Sequence, residues 1–506
     1  MLQDNSNFWA DLVADQAIAR NKDIVISTGI TPSGEIHIGN MREVLTGDAV
    51  FRSLKKKTDK ISFHYIADNF DPLRKVYPFL DAEIYEQYVG MPISRIPCPC
   101  GQHDSYSEHF LIPFVESLKK LDIDVEVKRS SQLYESGEMN NAIFSALEKR
   151  EEIASILNKK TGKEISQDWS PFNPICADCK KMTTTKLVGF SRENNSIDYE
   201  CSCGSAKTVD VTGNGKLTWR IDWPARWSVL KVLVEPFGKD HASRGGSYDT
   251  GVEIAKEVFD CQAPVPIIYE WISLKGQGDM SSSKGNVLSI DKTLEVLPPE
   301  VLRYMVFKVQ PKKAITFDPG LGILNIINEY DEENANRNQR AYELSSIRGI
   351  EAANVPFKHM VNLVQIAADD VDQIIHILKR TGYEIVSKAA VADRAFWARK
   401  WLDRFAPESM RFEIKQEVPS EALTLSEKNK EFLEYIAEHA QENYSGDDFH
   451  KLIYEGKEKF ELEPSEAFRA IYISMLGQEK GPRAGWFLAT LDNDFIKKRF
   501  TSLLKG

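Results

Sequence analysis

A short apolar run, DIVISTGI (23–30), is followed by a turn broken by Pro32 and several glycines. MREVLTGDAVFRSLKKK (41–57) then repeats apolar positions at helical spacing, and KISFHYIADNFDPL (60–73) runs apolar until it ends in polar residues. This alternation predicts a parallel α/β sheet, with ligands bound at the carboxyl ends of its strands. Between about 90 and 215 the alternation is interrupted by a stretch rich in Pro and Cys, which reads as an insertion. The segment from Lys216 resumes the α/β pattern, and VPIIYEWISL (265–274) is expected to be its last strand. Helical patterns dominate from about 292, EAANVPF (351–357) has the character of a boundary, and RAFWARKWLDRF (394–405) and EAFRAIYISMLG (466–477) carry helical apolar faces. The expected fold is therefore an α/β domain with an insertion, followed by an all-α domain.

Length and charge narrow the function classes. At 506 residues the chain exceeds one compact core, and it contains neither an internal repeat nor a low-complexity tract. No apolar stretch approaches the roughly 18 residues of a membrane span. The acidic start MLQDNSNFWADLVADQ lacks the basic-then-apolar order of a signal peptide, so the expected location is cytoplasmic, with no membrane partner. A net charge of −11 argues against a general nucleic-acid coat and against DNA as a partner, while leaving room for a local basic surface. The clusters Lys55–Lys57, Lys180–Lys181 and Lys497–Arg499 read as solvated faces.

Of seven cysteines, six form three close pairs, and Cys261 alone reads as a small hydrophobe. Cys176-x-x-Cys179, followed after 21 residues by Cys201-x-Cys203-Gly204, has the two-knuckle spacing of a zinc ribbon, a closed tetrahedral structural site. CPCGQHDSYSEHF (98–110) offers Cys98, Cys100, His103 and His109 as a second set of four ligands. The alternative is that the two histidines line a substrate path or lie on the surface. Phe396, Trp397, Trp401 and Phe405 fall at helical spacing and read first as core.

Two small-residue stretches bracket the α/β domain. STGITPSGEIHIGN (27–40) places His37 at a helix start, where the positive helix end and an imidazole donor suit a phosphate. GQGDMSSSKGN (276–286) joins backbone amides, hydroxyls and one ammonium, a set suited to a polyphosphate. His37-Ile38-Gly39-Asn40 resembles the first signature of class I aminoacyl-tRNA synthetases, "HIGH". Met280-Ser281-Ser282-Ser283-Lys284-Gly285-Asn286 resembles the second, "KMSKS" with its trailing Gly-Asn. Within that class the chain is similar to the archaeal-type lysyl-tRNA synthetases. TGITPSGEIHIGNMREVLT, TWRIDWPARW, GKDHASRGGSYDTG and KGPRAGWFLATLD carry the resemblance over nearly the whole length.

The resemblance implies a Rossmann-like catalytic domain (1–290) with a zinc-binding insertion (about 90–215), a helical connector (291–350) and an all-helical anticodon-binding domain (351–506). It implies the partners tRNA(Lys), L-lysine and ATP with Mg²⁺, and one or two structural Zn²⁺. A metal cluster is implied near Cys98 too, although the family has an Asp at the Cys98 place and a Cys at the Gln102 place, for which Cys100 would compensate. The implied catalytic residues are His37, Asn40 and Lys284. ATP would be held by Pro32, Gly34, His37, Gly39, Asn40 and Met280 to Lys284. Lysine would be held by Gly29, Thr31, Trp219, Asp222, His241 and Tyr269. Asp222 equally suits an ion pair with Arg220 or Arg226. In the second signature Asp279 replaces the first lysine and Ser282 the second, leaving Lys284 as the cation for pyrophosphate. A class I enzyme of the glutamate type and a non-catalytic tRNA-binding relative are the alternatives.

Overall fold

The computed structural model describes residues 8–276, 278–279, 288–336, 340–347 and 353–504. The chain divides into two compact units. One comprises Met1–Leu294, Pro299–Phe317 and Asn336–Ile347, the other Glu295–Pro298, Asp318–Ala335 and Arg348–Gly506.

The first unit is built on five parallel strands: β1 (Ile24–Ile30), β2 (Ile61–Ala67), β3 (Glu126–Arg129), β4 (Val234–Gly238) and β5 (Val265–Tyr269). Their order is β5-β4-β1-β2-β3, so the chain builds outward from β1 in both directions. The reversal opens a crevice at the carboxyl ends of β1 and β4, where such sheets bind ligands. β1 is rich in β-branched residues and buries Ile24, Ile26 and Thr28, as expected of a strand covered on both faces. Helix α1 (Trp9–Arg20) packs on α2 (Ile38–Lys55), and α2 is buried on most of its surface. Arg42 sits inside that packing because its guanidinium donates to three carbonyls, those of Trp271 (3.1 Å), Pro311 (3.0 Å) and Lys313 (2.6 Å). Its terminal nitrogens are thus partnered, whereas its buried Nε has no hydrogen-bond acceptor. Two further helices, α3 (Trp219–Val229) and α4 (Ser247–Phe259), pack together beside β4.

Two features differ from the sequence pattern. β3 lies inside the stretch read as insertion, yet it pairs with β2 and extends the main sheet. Its four residues, EVKR, have no apolar alternation to betray an edge strand. The expected single strand over 265–274 is broken: β5 ends at Tyr269, and Ile272–Leu274 joins a separate small sheet with Gly278–Asp279 and Ile315–Phe317. The cysteine-rich part carries a three-stranded antiparallel meander, Thr185–Ser191, Ser196–Cys201 and Ala206–Asp210.

Among its described residues the second unit is helical. Its core gathers Phe432, Ile436, Phe449, Ile471, Phe487 and Phe500. The aromatic run, read as core, is core in part only. Trp401 is fully buried and donates its indole N–H to the carbonyls of Pro319 (3.1 Å) and Gly320 (3.0 Å), whereas Phe396 stays exposed.

Candidate active site

A cleft of about 530 Å³ lies at the carboxyl ends of β1 and β4. Gly29, Thr31, Gly34, His37, Gly39, Asn40, His241 and Tyr269, all singled out from the sequence, line it. Pro32 is buried within the turn and is not on the cleft wall. Thr31 turns its hydroxyl to Asp71 at 3.4 Å.

His37 is the residue before α2, and its Nδ1 accepts the Gly39 N–H at 3.1 Å. The ring proton is therefore on Nε2, which is left to donate. Asn40 closes the reciprocal cap, its side-chain oxygen accepting the His37 N–H at 3.3 Å. Burial lowers His37 to about 4, so the ring is neutral at physiological pH. Helix end, neutral imidazole and amide form one hydrogen-donating surface for a phosphate.

Two carboxyls that the sequence reading passed over are central. Glu43, one turn into α2, accepts the Gly29 N–H and the Tyr269 hydroxyl, both at 2.8 Å. Burial raises Glu43 to about 8. Gly29, Glu43 and His241 also line a narrow adjoining slot, walled by Trp219, Trp223, Trp227 and Phe237, with Glu235 on its far side. Burial raises Glu235 to about 7, against the opposing pull of the Trp223 and Trp227 indoles and the Arg226 charge. Trp219 and Trp223 stack at 5.2 Å, and the His241 ring lies 5.4 Å from Trp223. For Glu235 a signal was available, because it interrupts the apolar stretch VLVEPF; Glu43, beside Arg42 on a helix, gave none.

Asp222 is placed elsewhere. It is fully buried, accepts the Tyr134 hydroxyl at 2.5 Å and lies 3.2 Å from Arg226 Nε and 3.8 Å from Lys216 Nζ. Lys216 also bonds Asp68 at 2.7 Å and contacts Asp71. The ion-pair alternative thus describes Asp222: its carboxylate is engaged by cations and is absent from both cavity walls. The sequence placed it between two tryptophans but could not show which way a helix turns it.

The second-signature residues Met280, Ser281, Ser282, Ser283 and Lys284 lie outside the described residues. The chain just beyond them is tied to the first signature. The Ile38 N–H donates to Leu288 O at 3.2 Å, and Ser289 forms a β-bridge with His37.

Both cysteine groups converge. In the ribbon, Cys176 and Cys203 sulfurs are 3.6 Å apart, as are Cys179 and Cys201, near the ~3.8 Å edge of a tetrahedron with Zn–S bonds of about 2.3 Å. In the other group, Cys98 Sγ lies 3.3 Å from Cys100 Sγ, 3.3 Å from His103 Nδ1 and 3.5 Å from His109 Nδ1. Four N/S donors turned on one point fit a tetrahedral cation in each case.

Residues 7–354 match the family of tRNA synthetases class I (K). The chain is 48% identical over 520 residues to the lysine–tRNA ligase of Methanosarcina barkeri, covering 97% of each chain. It is 46% identical over 498 residues to that of Archaeoglobus fulgidus, covering 98% of this chain and 100% of the relative. It aligns with the crystal structure of a glutamate-tRNA synthetase from Elizabethkingia anophelis at 12% identity and a TM-score of 0.48, covering 96% of this chain and 100% of the other.

Proposed function

We propose a function from one premise: the chain belongs to the class I tRNA synthetase (K) family. It is a lysine–tRNA ligase, which uses ATP to convert L-lysine to lysyl-adenylate and passes the lysyl group to tRNA(Lys). The observation that carries this reading is the tryptophan-walled slot between Glu43 and Glu235. Lysine brings two ammonium groups joined by methylenes. Aromatic walls suit the methylenes, and two carboxyls that resist ionising alone, Glu235 buried and Glu43 half-buried, suit a cationic guest. A glutamate side chain brings no cation to draw the proton from either carboxyl, so the slot offers it no compensating charge.

ATP would lie across the turn at His37, and Mg²⁺ bound with it would screen the charge of its phosphates. The lysine carboxylate attacks the α-phosphorus, the bond to pyrophosphate breaks, and charge grows on the phosphate oxygens. Neutral His37 donates from Nε2, the Asn40 amide has its hydrogens to give, and the helix end adds its dipole. Lys284 neutralises the departing pyrophosphate. A ribose hydroxyl of the terminal adenosine then attacks the acyl carbon, releasing AMP. No protein nucleophile takes part, because orientation and charge placement supply the acceleration. Zinc, held by Cys176, Cys179, Cys201 and Cys203 and by Cys98, Cys100, His103 and His109, would brace the insertion and leave no open position for catalysis.

Amino-acid-dependent ATP–pyrophosphate exchange, run with and without tRNA and paired with tRNA charging, tests the reading. Lysine should support both. Preference for glutamate, or tRNA binding with no exchange under either condition, would overturn it.

A further inference from the structure

The segment between β2 and the first cysteine pair carries chemistry that the activation step does not use. Arg74 and Lys75 are exposed, Tyr77 is half-buried and Phe79 is 47% exposed. Tyr77 and Phe79 stack with ring centroids 5.5 Å apart and planes within 5°, and Lys75 Nζ lies 5.8 Å from the Tyr77 ring. A solvent-facing aromatic stack is costly unless something covers it. Its position says what does. Phe79 lines the catalytic cleft, and it also lines a second cleft of about 620 Å³ that runs past Phe110, His109 and Lys292. Phe79 thus stands where the two meet, braced edge-on by Phe110 at 5.7 Å.

We propose that Tyr77 and Phe79 form a stacking platform for the single-stranded 3′ end of the acceptor RNA, with Arg74 and Lys75 meeting its phosphates. The inference rests on the ligase reading, which requires a terminal adenosine to reach the catalytic cleft from outside. A single strand entering along the second cleft passes Phe79 first. Aromatic faces with interleaved cations are how proteins hold unpaired nucleotides irrespective of sequence. Acidic groups are present: Asp71 is 3.9 Å from Arg74, and Glu35 is 3.7 Å from Lys292. Both are set against cations; Asp291 also lines the second cleft, and Asp240 lines the catalytic one.

The test uses the full-length protein and two RNA hairpins with the same acceptor stem, one ending in single-stranded CCA and one blunt. The wild type should bind the CCA hairpin about tenfold more tightly, the gain of roughly one stacked base. Phe79→Ala should abolish that difference at an unchanged melting temperature, and Phe79→Trp should keep it. A Phe79→Ala protein that still favours the CCA hairpin, or that weakens binding of the blunt hairpin to the same degree, would overturn the platform. So would a wild type that binds both hairpins equally. Failure of the wild type to charge any tRNA with lysine would instead remove the ligase reading.

Discussion

Glu43 shows how far one residue's chemistry departs from its letter. Bonded to Gly29 and Tyr269 but short of solvent, it holds its proton to about pH 8. Folding therefore raises its pKa above the usual 4.5, so its cost to stability is absent below pH 4.5 and grows as pH rises to 8. Glu43→Gln should gain stability relative to the wild type between pH 5 and pH 8.5 in urea unfolding; parallel curves would contradict the assignment. The same change should raise the lysine KM by roughly thirtyfold, about 2 kcal/mol, as a charged hydrogen bond is replaced by a neutral one. Because the carboxylate is the binding form, wild-type lysine affinity should improve as pH rises towards 8. His37 has the opposite character. Lowered to about 4, it contributes no titration between pH 6 and 8, so His37→Ala should reduce the rate of activation without removing a pH limb from that range.

At the level of elements, a buried charge network and two convergent cysteine groups stand where apolar packing stands elsewhere. Asp68 at the end of β2, Asp71, Lys216 and the α3 residues Asp222 and Arg226 form one buried cluster. Removing one carboxylate leaves cations buried without compensation, at a cost of about 3–5 kcal/mol. Asp222→Ala should therefore lower the unfolding free energy by that order, while Asp222→Asn, which keeps the contact with Tyr134, should lose less; a variant of native stability with a raised lysine KM would return Asp222 to the binding site. The two cysteine groups make a separate prediction. Metal analysis should find two zinc per chain, falling to one in Cys179→Ser and to one in Cys100→Ser. A wild type with a single zinc would leave only one of the groups metallated.

On the scale of the whole molecule, the chain forms two compact units, and the cleft belongs wholly to the first. Calorimetry should resolve two transitions, with ATP and lysine raising only the one that belongs to the α/β unit, because ligands stabilise the unit that binds them. A single transition shifted as a whole would show the units to be energetically one. Among the described residues no helix is long and apolar enough to cross a membrane.

Local pattern alone determined a good deal. The first strand–turn–helix, the helical C-terminal region and the ribbon's ligand set all follow from spacing within a few tens of residues. So does the place of His37 at a helix start. Tertiary structure decided what depends on partners distant along the chain. β3 carries no apolar signal and exists because β2 offers it an edge. Asp222 is taken out of the site by Lys216, Arg226 and Tyr134, the last 88 residues away. Glu43 gains its place at the cleft only when Tyr269, 226 residues further on, is laid against it. Charge and protonation are set by burial and by what lies within a few ångströms, and neither is a property of sequence neighbours.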